Sequence, residues 1–437
     1  MSTPLIVELK SVGKSFKSAD GTPRTVLDNV DFRLKEREIV ALLGQSGSGK
    51  STLLRIMAGL IGADRGDVLY RGQPLYGPAR GISMVFQSFA LFPWLTVEQN
   101  IEIGLEARGI EKEERSRRAE KVIDLIGLSG FEGALPRELS GGMRQRVGIA
   151  RALVVDPDVL LMDEAFSALD VLTGERLRDD ILELWEEQQI STKAILVVSH
   201  NIQEAILMAD RVLIFASDPG RVKFEMRIDL PRPRDPDSAE VRALVDEIYA
   251  VMTAGRVRSG KATEEVEPMR LDDRLPEADI GLMEGLLERL MEDPFFGRAD
   301  LPQLGEETEL TDEELLPAAE ALALLDFAVL AGGDMALTDT GKQYVAAEYS
   351  DRQALFGKQL LARVPLAAHI HHSLSQEPSG QLKEEPFLAL LRESLDQEEA
   401  ERVLNVAIEW GRHGEVYSYN YNTGMIHLPE ADTESAD

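Results

Sequence analysis

Gly44-Gln45-Ser46-Gly47-Ser48-Gly49-Lys50-Ser51-Thr52 follows the apolar run Ile39-Val40-Ala41-Leu42-Leu43 and precedes a stretch of helical character from Thr52 to Leu60. That order decides the fold. The apolar run reads as a strand buried on both faces, the kind found in parallel sheets covered by helices. The glycines let backbone amides curl around phosphate groups, and the amino terminus of the helix favours their negative charge. Lys50 is placed to meet the terminal phosphates, and the Ser51 hydroxyl to ligate Mg²⁺.

Two more runs, Val159-Leu160-Leu161-Met162 and Ala194-Ile195-Leu196-Val197-Val198, read as strands of the same buried type. Helical stretches alternate with them, which predicts an α/β layer of the P-loop kind. Asp163-Glu164 ends the first run, and an acidic residue at the carboxyl end of such a strand lies beside the phosphate loop. Asp163 is expected to hold Mg²⁺ through water, and Glu164 to act as the base that polarises the attacking water. Leu139-Ser140-Gly141-Gly142-Met143-Arg144-Gln145-Arg146 begins a further helix, with Ser140 as its cap and free amides offered to an anion. The region from about 88 to 154, densest in Glu and Arg between Glu111 and Arg118, reads as a helical subdomain inserted into the α/β layer.

The 437 residues carry 44% hydrophobic and 28% charged side chains, which excludes a wholly disordered or fibrous chain. There is no cysteine, so disulfide scaffolds, thiolate zinc sites and cysteine nucleophiles are excluded, and a reducing compartment is the expectation. No secretion signal is evident at the amino terminus, and no apolar stretch approaches the length of a bilayer span. The longest candidate, Ala321 to Ala331, carries Asp326. The net charge of −30 is uneven: residues 1–240 hold 31 basic and 37 acidic side chains, residues 241–437 hold 16 and 40. The second half is therefore a poor match for nucleic-acid phosphates, and no nucleic-acid partner is expected.

Pro231-Arg232-Pro233-Arg234-Asp235-Pro236 cannot continue a helix or a central strand. The expected division is a nucleotide-binding domain over 1–230, a Pro-rich linker over 231–240 and an acidic accessory domain over 241–437. Past the linker the pattern is mostly helical. Ile280, Met283, Leu287 and Leu290 recur at helical spacing, and Thr311-Asp312-Glu313-Glu314 reads as a capping box. The helix it opens is expected to run to Gly332-Gly333, with Ala336 to Gly341 as a strand and turn. A helix from Leu395-Asp396 through Trp410 then precedes two strands, Glu415–Tyr419 and Met425–Leu428, around the turn Asn422-Thr423-Gly424. Helices followed by a small hairpin, twice, suggest two winged-helix-like modules. His369, His371 and His372 raise a metal site, but no carboxylate or cysteine completes the set.

The ordered motifs resemble the nucleotide-binding subunit of ABC transporters over about residues 5–230. Ser140-Gly141-Gly142-Met143 lies in what looks like that family's signature. Phe16 sits where a ring stacks on adenine, and Gln87 looks like the glutamine that joins the Mg²⁺ contacts and reports nucleotide state to the membrane partner. Ser167-Ala168-Leu169-Asp170 looks like the loop that couples two sites of a dimer, and His200 like the histidine touching the γ-phosphate. The resemblance implies ATP and Mg²⁺ as cofactors. It also implies a head-to-tail dimer in which each ATP lies between one chain's phosphate loop and the other chain's signature, with a homodimer expected.

In a chain without spans, the resemblance implies a separate transmembrane permease, as in bacterial importers, and with it a periplasmic substrate-binding protein and a place on the cytoplasmic face of the inner membrane. Phe92-Pro93-Trp94-Leu95-Thr96-Val97 resembles the nitrate/sulfonate/taurine branch of importers, although Gly77 to Ser83 departs from the pattern of that branch. The acidic extension resembles variants with an ATPase-associated carboxyl-terminal domain, which implies a regulatory or dimer-stabilising role. The rival readings are a soluble ABC ATPase not coupled to transport, a transcription regulator fused to an ATPase, and an exporter ATPase. The regulator would need basic side chains on its recognition helix, and Glu313 to Leu330 contains none.

Overall fold

The computed structural model describes residues 4–17, 23–45, 47–167, 169–216, 219–253, 269–395 and 397–429. The chain forms two compact units, residues 1–16 with 25–244 and residues 17–24 with 245–437. The first unit opens with β1 (Leu5–Lys17), β2 (Pro23–Lys35), β3 (Glu38–Leu43), α1 (Lys50–Met57), β4 (Arg65–Tyr70), β5 (Gln73–Pro74) and β6 (Ile82–Val85). The expected helical subdomain follows as α2 (Val97–Ala107), α3 (Lys112–Leu125) and α4 (Gly141–Leu153). The α/β layer then resumes with β7 (Val159–Asp163), α5 (Val171–Glu186), β8 (Ala194–Val198), α6 (Ile202–Met208), β9 (Arg211–Ala216) and β10 (Arg221–Arg227).

The central sheet has the order β10-β9-β3-β8-β7-β6. All its neighbouring pairs are parallel except β9 with β10. The three runs expected to be buried strands are β3, β7 and β8, and each residue of these runs is at most 2% exposed. The parallel register brings the carboxyl ends of β3, β6, β7 and β8 to one edge of the sheet. In open α/β sheets that edge is where ligands bind. A smaller sheet, β2-β1-β4-β5, lies in the same unit.

The proline-rich stretch is fastened to the end of α6. Arg232 Nη1 donates to Met208 O at 2.7 Å and Arg234 Nη1 to Ala209 O at 2.6 Å, which satisfies carbonyls left open at the end of α6. Arg232 also pairs with Glu186 and Asp210. The division therefore lies beyond the prolines, inside α7 (Ala239–Thr253).

The second unit continues with α8 (Ile280–Met291), β11 (Arg298–Asp300), α9 (Leu301–Thr308), α10 (Asp312–Leu324), β12 (Ala328–Ala331), β13 (Asp334–Leu337), α11 (Asp339–Ala346) and α12 (Tyr349–Arg363). It ends with α13 (Pro365–Gln376), β14 (Gln381–Lys383), α14 (Glu385–Leu391), α15 (Gln397–His413), β15 (Ser418–Asn420) and β16 (Met425–His427). Two segments share one topology, helix–strand–helix–helix–strand–strand: α8 to β13 with sheet order β11-β13-β12, and α13 to β16 with order β14-β16-β15.

Two expectations are corrected here. The helix opened by Thr311 stops at Leu324, because Asp326 takes φ 64 and turns the chain into β12. Gly332-Gly333 is then the hairpin turn and not a helix end. Ala336–Gly341 is divided, since Thr338 accepts from Gly341 N at 2.9 Å and caps α11. The capping glutamate does act as read: Glu314 accepts the Thr311 amide at 3.0 Å. Asp396 lies outside the described residues, and α15 extends past Trp410 to His413. His369 packs edge-on against Phe387, and among the described residues no metal-sized cluster includes the three histidines of α13.

The excess of acid leaves a mark inside this unit. Asp300, which caps α9 by accepting from Gln303 N, is pushed up to about 6 by burial, with Asp246, Asp334 and Glu306 adding repulsion. A carboxyl raised in the fold is charged at a cost above that pH, and the cost fades as pH falls toward its unfolded value. Asp300→Asn keeps the cap and removes the charge. It should raise the melting temperature at pH 7.5, and calorimetry across pH 7.5 to 5 should find the advantage shrinking as pH passes below about 6.

Candidate active site

The phosphate loop leaves β3 at the centre of the sheet. Gly49 caps α1 with φ 93, in the left-handed region that favours glycine, and a Cβ there would lie 2.8 Å from Leu27 Cδ2. Lys50 is 4% exposed, and its ammonium donates to Gly44 O at 2.6 Å and Gln45 O at 2.9 Å. The cation is thus already inside the loop. Ser48 Oγ is buried and has no hydrogen-bond partner among the described residues, so the loop holds a donor for an incoming oxygen. Gly44, Gly47 and Thr52 complete the described loop, while Ser46 lies outside the described residues.

Ser51 Oγ donates to Asp163 Oδ1 at 2.9 Å, so the two residues expected at Mg²⁺ meet although they are far apart in sequence. Burial pushes the Asp163 carboxyl up, against the Ser51 hydrogen bond and the charges of Arg55 and Lys50. A buried carboxylate beside a hydroxyl is hard oxygen chemistry of the kind Mg²⁺ takes. With the glycine cradle and the orphaned Ser48 hydroxyl, the residues present fit a magnesium nucleotide.

The next residue points elsewhere. Glu164 has φ 47, uncommon for a residue with a side chain. Its amide donates to Val198 O at 3.1 Å, and its carbonyl accepts from Ser167 N at 3.3 Å and Ser167 Oγ at 2.9 Å. Gln87, just past β6, donates through Nε2 to Glu164 Oε2 at 2.7 Å. His200 follows β8, between Ser199, whose amide donates to Leu42 O, and Asn201, which caps α6. Asp163, Glu164, Gln87 and His200 therefore belong to one edge of the sheet.

The remaining candidates sit differently. Phe16, 43% exposed on β1, has the Lys14 ammonium 5.3 Å from its ring centroid. Ser140 caps α4 by accepting from Met143 N at 3.3 Å, and Met143 packs on the core of the helical subdomain. Gly141 lies 3.9 Å from Leu169, measured from a built Cβ, and a Cβ on Gly142 would collide with the Thr173 methyl. The signature end of α4 is therefore pressed against the start of α5. Asp170 caps α5 through Thr173 N at 3.1 Å, and its hydrogen bonds to Thr173 hold its pKa down. Ala168 lies outside the described residues.

Two residues escaped the sequence reading. Gln145 is fully buried on α4, and its Nε2 donates to Ala165 O at 2.5 Å, which ties the signature helix to the chain just past Glu164. An amide at helical spacing with Gly142, Ile149 and Ala152, on an apolar face, was the available signal. Arg151 donates to Phe89 O at 3.0 Å and to Ala90 O, and both acceptors have positive φ. It fixes the chain directly after Gln87 to α4.

A model of the ABC transporter family matches residues 27–167, and one described as the C-terminal AAA-associated domain matches residues 302–420. An uncharacterized ABC transporter ATP-binding protein of Methanocaldococcus jannaschii is 45% identical over 51% of this chain and 82% of its own length. The chain belongs to the ABC transporter ATP-binding family. It is an ATPase coupled to transport, and it binds ATP. A nitrate import ATP-binding protein of Synechocystis is 39% identical over 60% of this chain and 98% of its own length. An aliphatic sulfonates import ATP-binding protein of Bacillus cereus is 38% identical over 54% and 90%.

In this ABC ATPase, Gly49→Ala would force a side chain into a left-handed backbone and against Leu27. Chemical denaturation should report a loss of about 1–3 kcal/mol. ATP binding followed by fluorescence should weaken in parallel.

Proposed function

We propose that this ATPase energises an importer of small anions of the nitrate, sulfonate, taurine or bicarbonate class, as a homodimer on the cytoplasmic face of the inner membrane. The names of the Synechocystis and Bacillus relatives support the substrate class. No described helix is long and apolar enough to cross a membrane, and a separate permease supplies the path, with a periplasmic binding protein delivering the anion.

The observation that carries the mechanism is the 2.7 Å bond from Gln87 to Glu164, next to the Ser51–Asp163 pair. Lys50 and the loop amides bind the β- and γ-phosphates, and Phe16 stacks on the adenine. Ser51, Gln87 and Asp163 would hold Mg²⁺, which would supply positive charge to offset that of the phosphates. Glu164 takes the proton from the attacking water, and His200 contacts the γ-phosphate. Ser140, Gly141, Gly142 and Met143 of a second copy close over that phosphate, and Asp170 couples the two sites. Neither half-site is complete alone, so hydrolysis and opening of the dimer are linked.

The shared topology of α8–β13 and α13–β16 supports reading the second unit as two winged-helix-like modules. Their role is to regulate the dimer or add contact area to it. Removing residues 245–437 should leave ATP affinity unchanged by equilibrium binding, whereas loss of binding would contradict this division of labour.

Glu164→Gln keeps the shape and removes the base. Hydrolysis should fall by roughly 10²–10⁴-fold, and size-exclusion chromatography with ATP and Mg²⁺ should show a stable dimer. Lys50→Ala should bind no nucleotide and stay monomeric. A Glu164→Gln protein with the wild-type rate would refute the role given to Glu164.

A further inference from the structure

One buried carboxylate next to this site has no part in the mechanism above. Glu204 stands in the first turn of α6, where its amide donates to Asn201 Oδ1 at 2.7 Å. Its Oε2 accepts from Ser199 Oγ at 2.5 Å, and the same Ser199 oxygen accepts from the Asn201 amide at 3.0 Å. The carboxylate thus spans the turn from β8 into α6, and the residue enclosed by that turn is His200. Its second oxygen, Oε1, is shut off from solvent and has no hydrogen-bond partner among the described residues.

An acidic residue in the first turn of a helix is favourable when it faces water. Capping alone does not explain burial, because a carboxylate oxygen without a donor costs free energy inside a protein. The cost is visible at the site, where burial pushes the Glu204 carboxyl up, while the Ser199 bond and the charges of His200 and Arg178 pull the other way. Those two groups come from different elements. His200 is on the turn itself, and Arg178 is on α5, the helix capped by Asp170 and already paired with Asp179.

We propose that Glu204 is a positioning residue for His200: through Ser199 it fixes the β8–α6 turn, and Oε1 receives the imidazole N–H when nucleotide is bound. The far side of the ring is then aimed at the γ-phosphate. Second-sphere carboxylates act in this way on histidines elsewhere, by fixing tautomer and orientation. The inference rests on the reading of His200 given above.

The test is a double-mutant cycle on the full chain, with steady-state hydrolysis of ATP as the readout. Glu204→Gln retains the side-chain shape and an oxygen for Ser199 but loses the charge. It should lower kcat by about ten- to a hundredfold with little change in KM for ATP. In a His200→Ala background the same substitution should cost nothing further, because the residue it positions is gone. If the two losses multiply instead, Glu204 acts on the fold alone and the proposal is overturned. It is equally overturned if Glu204→Gln alone keeps the wild-type kcat. A wild-type rate for His200→Ala would overturn the reading of His200 itself. Should Glu204→Gln fail to fold, Ser199→Ala carries the same cycle, with the same loss expected and the same masking by His200→Ala.

Discussion

The site depends on how the chain leaves β7. Consecutive strand residues point to opposite faces, yet Asp163 and Glu164 both lie at one edge of the sheet. Asp163 is the last residue of the strand and turns toward the loop, where Ser51 meets it at 2.9 Å. Glu164 leaves the strand through φ 47 and reaches Gln87 instead. That conformation is costly for a residue with a Cβ, and three hydrogen bonds to its own backbone hold it, from its amide to Val198 O and to its carbonyl from Ser167. The left-handed turn sends two adjacent carboxylates to two different partners, Ser51 and Gln87.

The same junction ties the helical subdomain to the sheet. Ala165, one residue past the kink, accepts from Gln145 in the middle of α4. Arg151, further along α4, holds the carbonyls of Phe89 and Ala90 just after Gln87. Burial lowers the Arg151 pKa, and the Phe89 and Ala90 carbonyls that it meets are neutral. A guanidinium in that setting is held by the direction of its bonds more than by charge. A shift of α4 therefore reaches both the carboxylate and the glutamine, one through each fastening. Within a single chain, α4 is thus fastened on both sides of the edge that carries Glu164 and Gln87.

What was legible in the sequence follows from the range of the interactions involved. The buried runs of β3, β7 and β8 are local in pattern, and glycine spacing reports its own backbone, so the sheet and the loop could be read directly. The meeting of Ser51 with Asp163 was legible because Ser51 lies past one parallel strand and Asp163 ends another, and the carboxyl ends of such strands share an edge. The kink at Glu164 was not, since no local residue preference announces a left-handed glutamate. Gln145 was passed over because it stood between two arginines that drew the reading to charge, although its spacing placed it on the apolar face. The end of α10 was misplaced for the opposite reason: Ala328 to Ala331 continues an apolar pattern that suits helix or strand, and only Asp326 at φ 64 settles which.

The second unit shows how an acidic sequence can still be packed. Its arginines are spent locally: Arg289 on Glu307, Arg298 on Asp334, Arg352 on Glu288 and Arg402 on Glu399. Aromatic packing supplies what charge pairing cannot, with Phe327 against Tyr344 at 4.7 Å and Phe356 edge-on to His413 at 4.8 Å. Polar tips inside this core are bonded, Tyr344 to Glu284 at 2.7 Å and Tyr417 to Ala407 O at 2.8 Å. With 40 acidic against 16 basic side chains in residues 241–437, some carboxyls must be left to one another, and Asp300 facing Asp246 and Asp334 is where that surplus reaches the interior. A domain whose charge is concentrated in that way repels polyanions over its surface.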